Sequence, residues 1–403
     1  MAEKNKENIY SWLKTFAGNY DEGLKYKELS DHAKLFIEDA FTGIDENDLR
    51  DYHCHILGIG TGHSGNYIHY KMTSWALPIN HLKFNAYSNA AGIKHIQWGD
   101  QEYIARLVSL VKQMPGKVAI LAWDKFYKRN GLVDTANTMA YVPNELVYEI
   151  YQRFPGHFIP CVSIHPYRND ALNELSKWAE LGVRQVKWAP NSMGIDPSDK
   201  KCIPFYSVMK ELDMVLLTHT GKEDALPVSG YQHLGNPLLY RRPLDMGVKI
   251  IMAHCASLGK SLDFEAVNPD MEKNYKLFLR LMKEKQYSDN LFGDISGITQ
   301  INRCGEPLKA LLKARSIHHR LINGSDYPLP AINSIIWTKT LENLGYINNQ
   351  ERKVINEIYK YNPMLFDFVL KRNLKHPKTK AKFRKQLFTK HQMLEPQVIE
   401  VGY

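Results

Sequence analysis

The feature that most constrains the fold is a regular alternation of short apolar runs with longer amphipathic stretches. The short runs are rich in β-branched residues, as expected of buried strands, and the longer stretches have the period of a helix. Parallel strands need a crossover between them, so this alternation predicts a parallel sheet covered by helices. The predicted strands are residues 50–56, 118–123, 158–164, 183–188, 214–218, 249–253, 291–295 and 320–324.

Eight strand and helix units in one chain predict closure into a (β/α)8 TIM barrel, an α/β fold. A doubly wound open sheet is the alternative, but no glycine-rich phosphate-binding turn follows the first strand. The predicted helices between the strands are residues 102–114, 144–154, 171–181, 205–212, 272–287 and 307–315.

Three regions are predicted along the chain. Residues 1–48 form an N-terminal helical extension, residues 49–370 form the barrel domain, and residues 371–403 form a basic C-terminal tail that follows a helix at 364–371. Residues 57–97, after the first strand, lack clear periodicity and are rich in glycine, asparagine and aromatic side chains. Loops of this length in a compact domain usually serve a function, so we interpret this one as a substrate lid or a subunit contact in a homo-oligomer.

The net charge of +9 is accounted for by residues 371–390, the first part of the tail. Residues 371–390 contain nine basic residues and no acidic one, while the rest of the chain holds 43 of each sign. The charge is therefore no guide to the active site. We interpret the tail as a solvated face or a docking arm, with contact to nucleic acid as the less favoured alternative.

Composition also bears on location. No apolar run is long enough to span a membrane, and no secretory signal is recognisable at the start of the sequence. The five cysteines are odd in number and none are spaced as Cys-x-x-Cys, which argues against a disulfide framework. We expect a cytoplasmic protein with reduced thiols and no membrane partner.

A His-x-His pair ends the first predicted strand. Residues i and i+2 of a strand point to the same face, so His53 and His55 project together, with Cys54 on the other side. Two imidazoles on one rigid face can form half of a zinc site. Such a pair is a weak signal by itself.

Four more candidate ligands stand at the ends of later strands: Lys187 after the fourth, His219 after the fifth, His254 after the sixth and Asp326 after the eighth. The carboxyl ends of the strands of a parallel barrel meet at one rim, where barrel enzymes carry their active sites. The sequence therefore predicts that six potential metal ligands converge at this rim.

This pattern resembles the amidohydrolase superfamily, and most closely its amidohydrolase-2-type (amidohydrolase-related) branch, over residues 49–370. The matching parts are the His-x-His pair, the lysine and histidines after strands 4, 5 and 6, the Ser325-Asp326-Tyr327-Pro328 turn, and Tyr361-Asn362-Pro363 followed by Leu365-Phe366.

The resemblance implies a divalent metal held by His53, His55 and Asp326, with His219 completing a one-metal site. In a two-metal site, His219 and His254 would hold the second ion. Lys187, carboxylated by CO2, would bridge the two, because a free ammonium cannot bridge cations. Zinc is the expected metal, one or two per chain, although nitrogen and oxygen ligands also suit Mn, Fe or Ni.

The resemblance also implies the chemistry. Asp326 would be the general base, with His254 as a second catalytic residue, and metal-activated water would attack an amide, ester or lactone bond. An alternative is metal-dependent non-oxidative decarboxylation, and a second alternative is a non-catalytic binding protein on the same scaffold. We expect a small, acidic organic substrate, with His165, Arg168 and Trp188 as candidate substrate contacts. Lys187 without carboxylation, holding a substrate anion, is left open.

Overall fold

Eight parallel strands form one sheet in chain order. The computed structural model describes residues 23–228 and 230–397. The first and last strands close the sheet into a barrel, because Tyr52 N donates to Asn323 O (2.9 Å) and His55 N donates to Tyr327 O (3.0 Å). The predicted TIM barrel is confirmed. Its strands are β1 (Arg50–His55), β2 (Lys117–Leu121), β3 (Phe158–Val162), β4 (Gln185–Trp188), β5 (Val215–His219), β6 (Lys249–Ala253), β7 (Leu291–Asp294) and β8 (Leu321–Ile322).

Helices surround the barrel and carry their apolar faces toward it. Proline or a capping side chain starts several of them; Ser30 Oγ, for example, accepts a hydrogen bond from Ala33 N (3.1 Å) at the start of the first. The helices are α1 (Asp31–Phe41), α2 (Tyr70–Thr73), α3 (Pro78–Ala90), α4 (Gly99–Val111), α5 (Asn144–Arg153), α6 (Ala171–Glu180), α7 (Pro190–Met193), α8 (Ile203–Glu211), α9 (Arg241–Asp245), α10 (Asn274–Leu281), α11 (Glu306–Lys313), α12 (Thr338–Asn343), α13 (Asn349–Tyr361) and α14 (Pro363–Asn373).

The segment after β1 differs from the prediction. Residues 57–97 were expected to lack regular structure, but they contain α2 and the thirteen-residue α3. The amphipathic signal of α3 is weak because polar residues interrupt its buried face, which consists of His81, Phe84 and Ala90. Strand Tyr67–Ile68 of this segment pairs with Ala140–Tyr141 of the loop after β2, which ties the segment to the carboxyl-end side of the barrel.

The C-terminal segment also differs from the prediction of a separate basic tail. Within its described part, to residue 397, Phe383, Leu387 and Phe388 are buried, and Leu394 packs among the side chains inside the barrel. Arg50 forms a two-bond ion pair with Glu395 (2.9 Å for both bonds), and Gln185 Nε2 donates to Leu394 O (3.0 Å). We call residues 385–397 the barrel floor, because they cover the end at which the strands begin.

Among the described residues, no helix combines the length and the apolarity that crossing a bilayer requires.

Candidate metal centre

The His-x-His pair lies where predicted, at the carboxyl end of β1. His53 and His55 place their Nε2 atoms 3.3 Å apart, and His53 is fully buried. Burial and the adjacent amine of Lys187 lower the pKa of His53 to about 4. His53 is therefore a neutral imidazole at physiological pH, the form in which histidine binds metals.

Asp326, in the turn after β8, completes a compact trio. Its Oδ1 lies 3.2 Å from His55 Nε2 and 3.6 Å from His53 Nε2. Burial alone would raise the pKa of Asp326, but His254, His55 and His53 together hold it well below its usual range, so the carboxylate is ionised. Zinc bound tetrahedrally at 2.0–2.2 Å keeps its ligand atoms about 3.3 Å apart. The trio therefore fits a metal ion of this size.

Lys187, on β4, places its side chain next to the trio of His53, His55 and Asp326. Its Nζ lies 3.1 Å from His53 Nε2, and only 1% of the residue is exposed. No carboxylate of the described residues stands within ion-pair distance of this amine. Burial lowers the pKa of Lys187, which favours the neutral amine.

His219 and His254 bring the set to six. Their rings lie 5.1 Å apart, and the ring of His254 also stacks on that of His53 at 5.1 Å. Burial lowers the pKa of both histidines. His219 Nε2 is buried without a hydrogen-bond partner among the described residues, and the nearest carboxylate oxygen, on Glu223, is 3.6 Å away. A buried nitrogen left open in this way suits a metal ligand. The structure thus brings all six predicted ligands together.

Asp294, at the end of β7, was not predicted. Its Oδ2 accepts a hydrogen bond from His53 Nδ1 (2.8 Å), which leaves His53 Nε2 free to face the cluster. Its Oδ1 accepts from His254 N (2.8 Å) and from Ser296 Oγ (2.5 Å). Ser296 O in turn accepts from His254 Nδ1 (3.1 Å). Asp294 therefore orients two of the predicted ligands. The only hint in the sequence was an acidic residue inside an apolar strand.

The turn that carries Asp326 is stabilised by hydrogen bonds to Asp51 and Lys371. Asp326 itself has a left-handed backbone (φ 64°), which is uncommon for a residue other than glycine. Asp51 Oδ1 accepts from His53 N (3.0 Å) and from Ser325 N (2.8 Å), joining β1 to this turn. Lys371 Nζ donates to Gly324 O (2.7 Å) and is fully buried, although it belongs to the segment predicted to be a solvated face or a docking arm.

Gly324 lets β8 approach β1 closely. A Cβ at this position would lie 2.5 Å from His53 Cβ, a clash that no side-chain rotation relieves. We therefore expect Gly324→Ala to displace His53 and to weaken metal binding about tenfold or more, as changes to groups that orient metal ligands do. The measurement is bound metal per chain across a chelator titration. The control is Gly156→Ala, where a Cβ meets open space; equal metal affinity in the two variants would contradict the expectation.

The structure does not bring His165 and Arg168 to the cluster. His165 is fully buried: its Nε2 donates to Met193 O (2.9 Å), and its Nδ1 accepts from Tyr167 N (3.1 Å). Arg168 makes two hydrogen bonds to Asp170 (2.8 and 2.7 Å) and one to Asp124 (3.2 Å). Both side chains are held by protein groups and not by the cluster, and three of the five N–H groups of Arg168 are used in this way.

Trp188 also differs from the prediction. It follows Lys187 on β4, and neighbouring residues of a strand point to opposite faces. Because Lys187 points into the barrel, Trp188 points outward, where it packs on Phe205 and Tyr206 and donates from Nε1 to Ile164 O (2.8 Å). It is a core residue and not a wall of the substrate site.

The chain is thus a closed (β/α)8 barrel with a candidate metal site at the carboxyl ends of its strands, where barrel enzymes carry their active sites. Among the described residues, the trio of His53, His55 and Asp326 is close enough to share one ion. A family model described as amidohydrolase matches residues 51–343, which is most of the chain. The chain belongs to the amidohydrolase family, whose superfamily is metal-dependent.

None of the curated proteins matches the chain. Among solved structures, an uncharacterized TIM-barrel protein from Bordetella bronchiseptica is 13% identical, with a TM-score of 0.48 and coverage of 78% of this chain and 97% of that one. A probable 2-pyrone-4,6-dicarboxylic acid hydrolase from Acinetobacter baumannii is 12% identical (TM-score 0.42, coverage 81% and 97%). A 2,6-dihydroxybenzoate decarboxylase is 10% identical (TM-score 0.42, coverage 78% and 99%). The family assignment rests on the sequence match.

Proposed function

We propose that the protein is a metal-dependent hydrolase that acts on an amide, ester or lactone bond of a small, acidic organic substrate. The observation that carries this proposal is the state of Lys187. It is a buried amine of lowered pKa, 3.1 Å from His53 Nε2 and without a carboxylate partner among the described residues. A neutral amine can add to CO2 and lose a proton, which gives an anionic carbamate with two oxygens. Such a group would complete a two-metal set with His219 and His254.

Zinc is the metal we propose, held by His53, His55 and Asp326. When bound, it would supply a water of lowered pKa and a Lewis acid for the substrate carbonyl. Asp326 would take the proton of the attacking water at a carboxylate oxygen and later give it to the leaving group. Asp294 would keep His53 in the tautomer that presents Nε2. His254, whose Nδ1 is fixed by Ser296 O, would present its own Nε2 to the reacting groups.

The test is metal content per chain, measured by elemental analysis for the wild type and for Lys187→Ala. We expect about two metals in the wild type and one or none in the variant, because the bridging carbamate is lost. Lys117→Ala, at the opposite end of the barrel, is the matched control and should keep the wild-type content. Two metals in Lys187→Ala would contradict the bridge.

Non-oxidative decarboxylation is the second candidate. The trio of His53, His55 and Asp326 is complete without Lys187, so a one-metal site is consistent with the same geometry. One metal per chain, unchanged in Lys187→Ala, would favour this reaction or one-metal hydrolysis, with Lys187 as a substrate contact. No metal after reconstitution with zinc or manganese would instead favour a binding protein.

A further inference from the structure

The loop after β7 places a buried arginine beside the metal centre. Only 5% of Arg303 is exposed, and its Nη1 donates to Ser257 Oγ (2.9 Å). Ser257 N in turn donates to His254 O (3.0 Å), so the guanidinium is fixed against the turn that carries a predicted metal ligand. Arg303 Nε is buried without a hydrogen-bond partner among the described residues.

Arg303 also lacks a counter-ion. None of the described carboxylates is within ion-pair distance of it, although the charges of Asp326 and Glu223 act on it from farther away. Asp326 is a proposed metal ligand, so its charge would be shared with the ion. A guanidinium stays charged even when buried, and a buried charge without a partner is costly. Arg303 is therefore a buried cation without a direct ion-pair partner among the described residues.

Gln300, on the same loop, supplies a second open donor. It is buried, and its Nε2 has no hydrogen-bond partner among the described residues. Gly297 lies close to both Gln300 and Asp326. Gln300 Nε2 and Asp326 Oδ2 are each within 3.3 Å of the point where a Cβ of Gly297 would stand. The amide nitrogen of Gln300 therefore lies within about 6 Å of the Asp326 carboxylate, on the side of the metal trio.

We propose that Arg303 and Gln300 form a carboxylate subsite that holds an anionic group of the substrate next to the metal centre. The planar guanidinium matches a carboxylate in shape and charge, and the amide adds a third donor. The inference rests on the proposed function for the identity of the reacting bond, but the binding of an anion can be measured without catalysis. It assigns to Arg303 the role that the sequence suggested for Arg168.

The test is calorimetric binding of succinate, and of its neutral analogue succinamide, to the full-length metal-loaded protein. We expect succinate to bind and succinamide to bind far more weakly. Arg303→Gln should weaken succinate binding about 30-fold, which is the loss of a charged hydrogen-bonded pair. Arg303→Lys should lose less succinate affinity because lysine keeps the positive charge. Gln300→Leu should also lose less affinity, because the amide that it removes is uncharged. Arg129→Gln, an exposed arginine, is the control and should bind as the wild type does.

Metal content is measured for every variant, because a carboxylate can also bind a metal ion directly. Succinate affinity that is unchanged in Arg303→Gln, or that falls only in proportion to lost metal, would overturn the subsite. Absence of succinate binding by the wild type would also overturn it. If succinate binding depends on Arg303 but no hydrolysis is found, the carboxylate subsite is supported and only the proposed reaction is wrong.

Discussion

Asp326→Asn is expected to lower kcat about 10³-fold once a substrate is in hand. Asparagine keeps the size of the side chain and one of its two oxygens, so the turn after β8 and its hydrogen bonds should persist. It cannot take up a proton from the attacking water. The loss should therefore appear in kcat, while the affinity for succinate, which depends on Arg303, stays close to that of the wild type.

Metal content decides how a loss of activity is interpreted, because Asp326 Oδ1 also belongs to the trio. The variant is assayed after reconstitution to the wild-type metal content, with Asp39→Asn on the exposed face of α1 as the matched control. Full activity in a metal-loaded Asp326→Asn protein would rule out Asp326 as the base and move that role to His254.

The second large effect concerns acid stability. Burial lowers the pKa of His165 to about 3, from an ordinary value of 6.5. The unfolded chain therefore binds a proton between these pH values that the folded protein does not, and the free energy of unfolding falls as the pH drops through this range. A shift of this size corresponds to roughly 5 kcal/mol, which is comparable to the whole stability of many proteins. The stabilisation is fully present above about pH 6.5.

Urea unfolding at several pH values measures this effect. His165→Asn is expected to be less stable at neutral pH, because the bonds to Met193 and Tyr167 are disturbed, and to lose less stability on acidification. The informative quantity is the slope of the unfolding free energy against pH, and Leu35→Ala on the exposed face of α1, which removes no titratable group, should keep the wild-type slope. Identical slopes for the wild type and His165→Asn would show that His165 titrates normally.

Most of the metal centre could be predicted because each ligand ends a strand. His219 and His254 follow apolar runs, His53 stands in a His-x-His pair, and the geometry of a parallel barrel brings such strand ends together. The strand and helix positions follow the hydrophobic period within a few residues; β6, Lys249–Ala253, has the predicted bounds. Because the local hydrophobic pattern agrees with the global fold, the sequence is sufficient to predict the strands and the ligands at their ends.

The remaining features depend on contacts between distant parts of the chain. Asp294 and Arg303 have no distinguishing neighbours in the sequence, and only their approach to His53, His254 and Ser257 gives them a role. Trp188 follows Lys187 directly, so the two-residue period of a strand already places it on the opposite face from the metal ligands. Arg168 was predicted as a substrate contact because nothing in the sequence shows that Asp124 and Asp170 bind it.

The barrel floor has a consequence for synthesis on the ribosome. Residues 385–397 come after all eight strands, yet Glu395 pairs with Arg50 of β1, and Leu394 fills the barrel interior. A nascent chain with every strand outside the exit tunnel would still expose the apolar base of its barrel until this segment emerged. Partly made chains are therefore expected to need shielding from aggregation late in translation. A fluorescent or affinity fusion placed within the floor would prolong that vulnerable interval, whereas the same fusion before α1 would not.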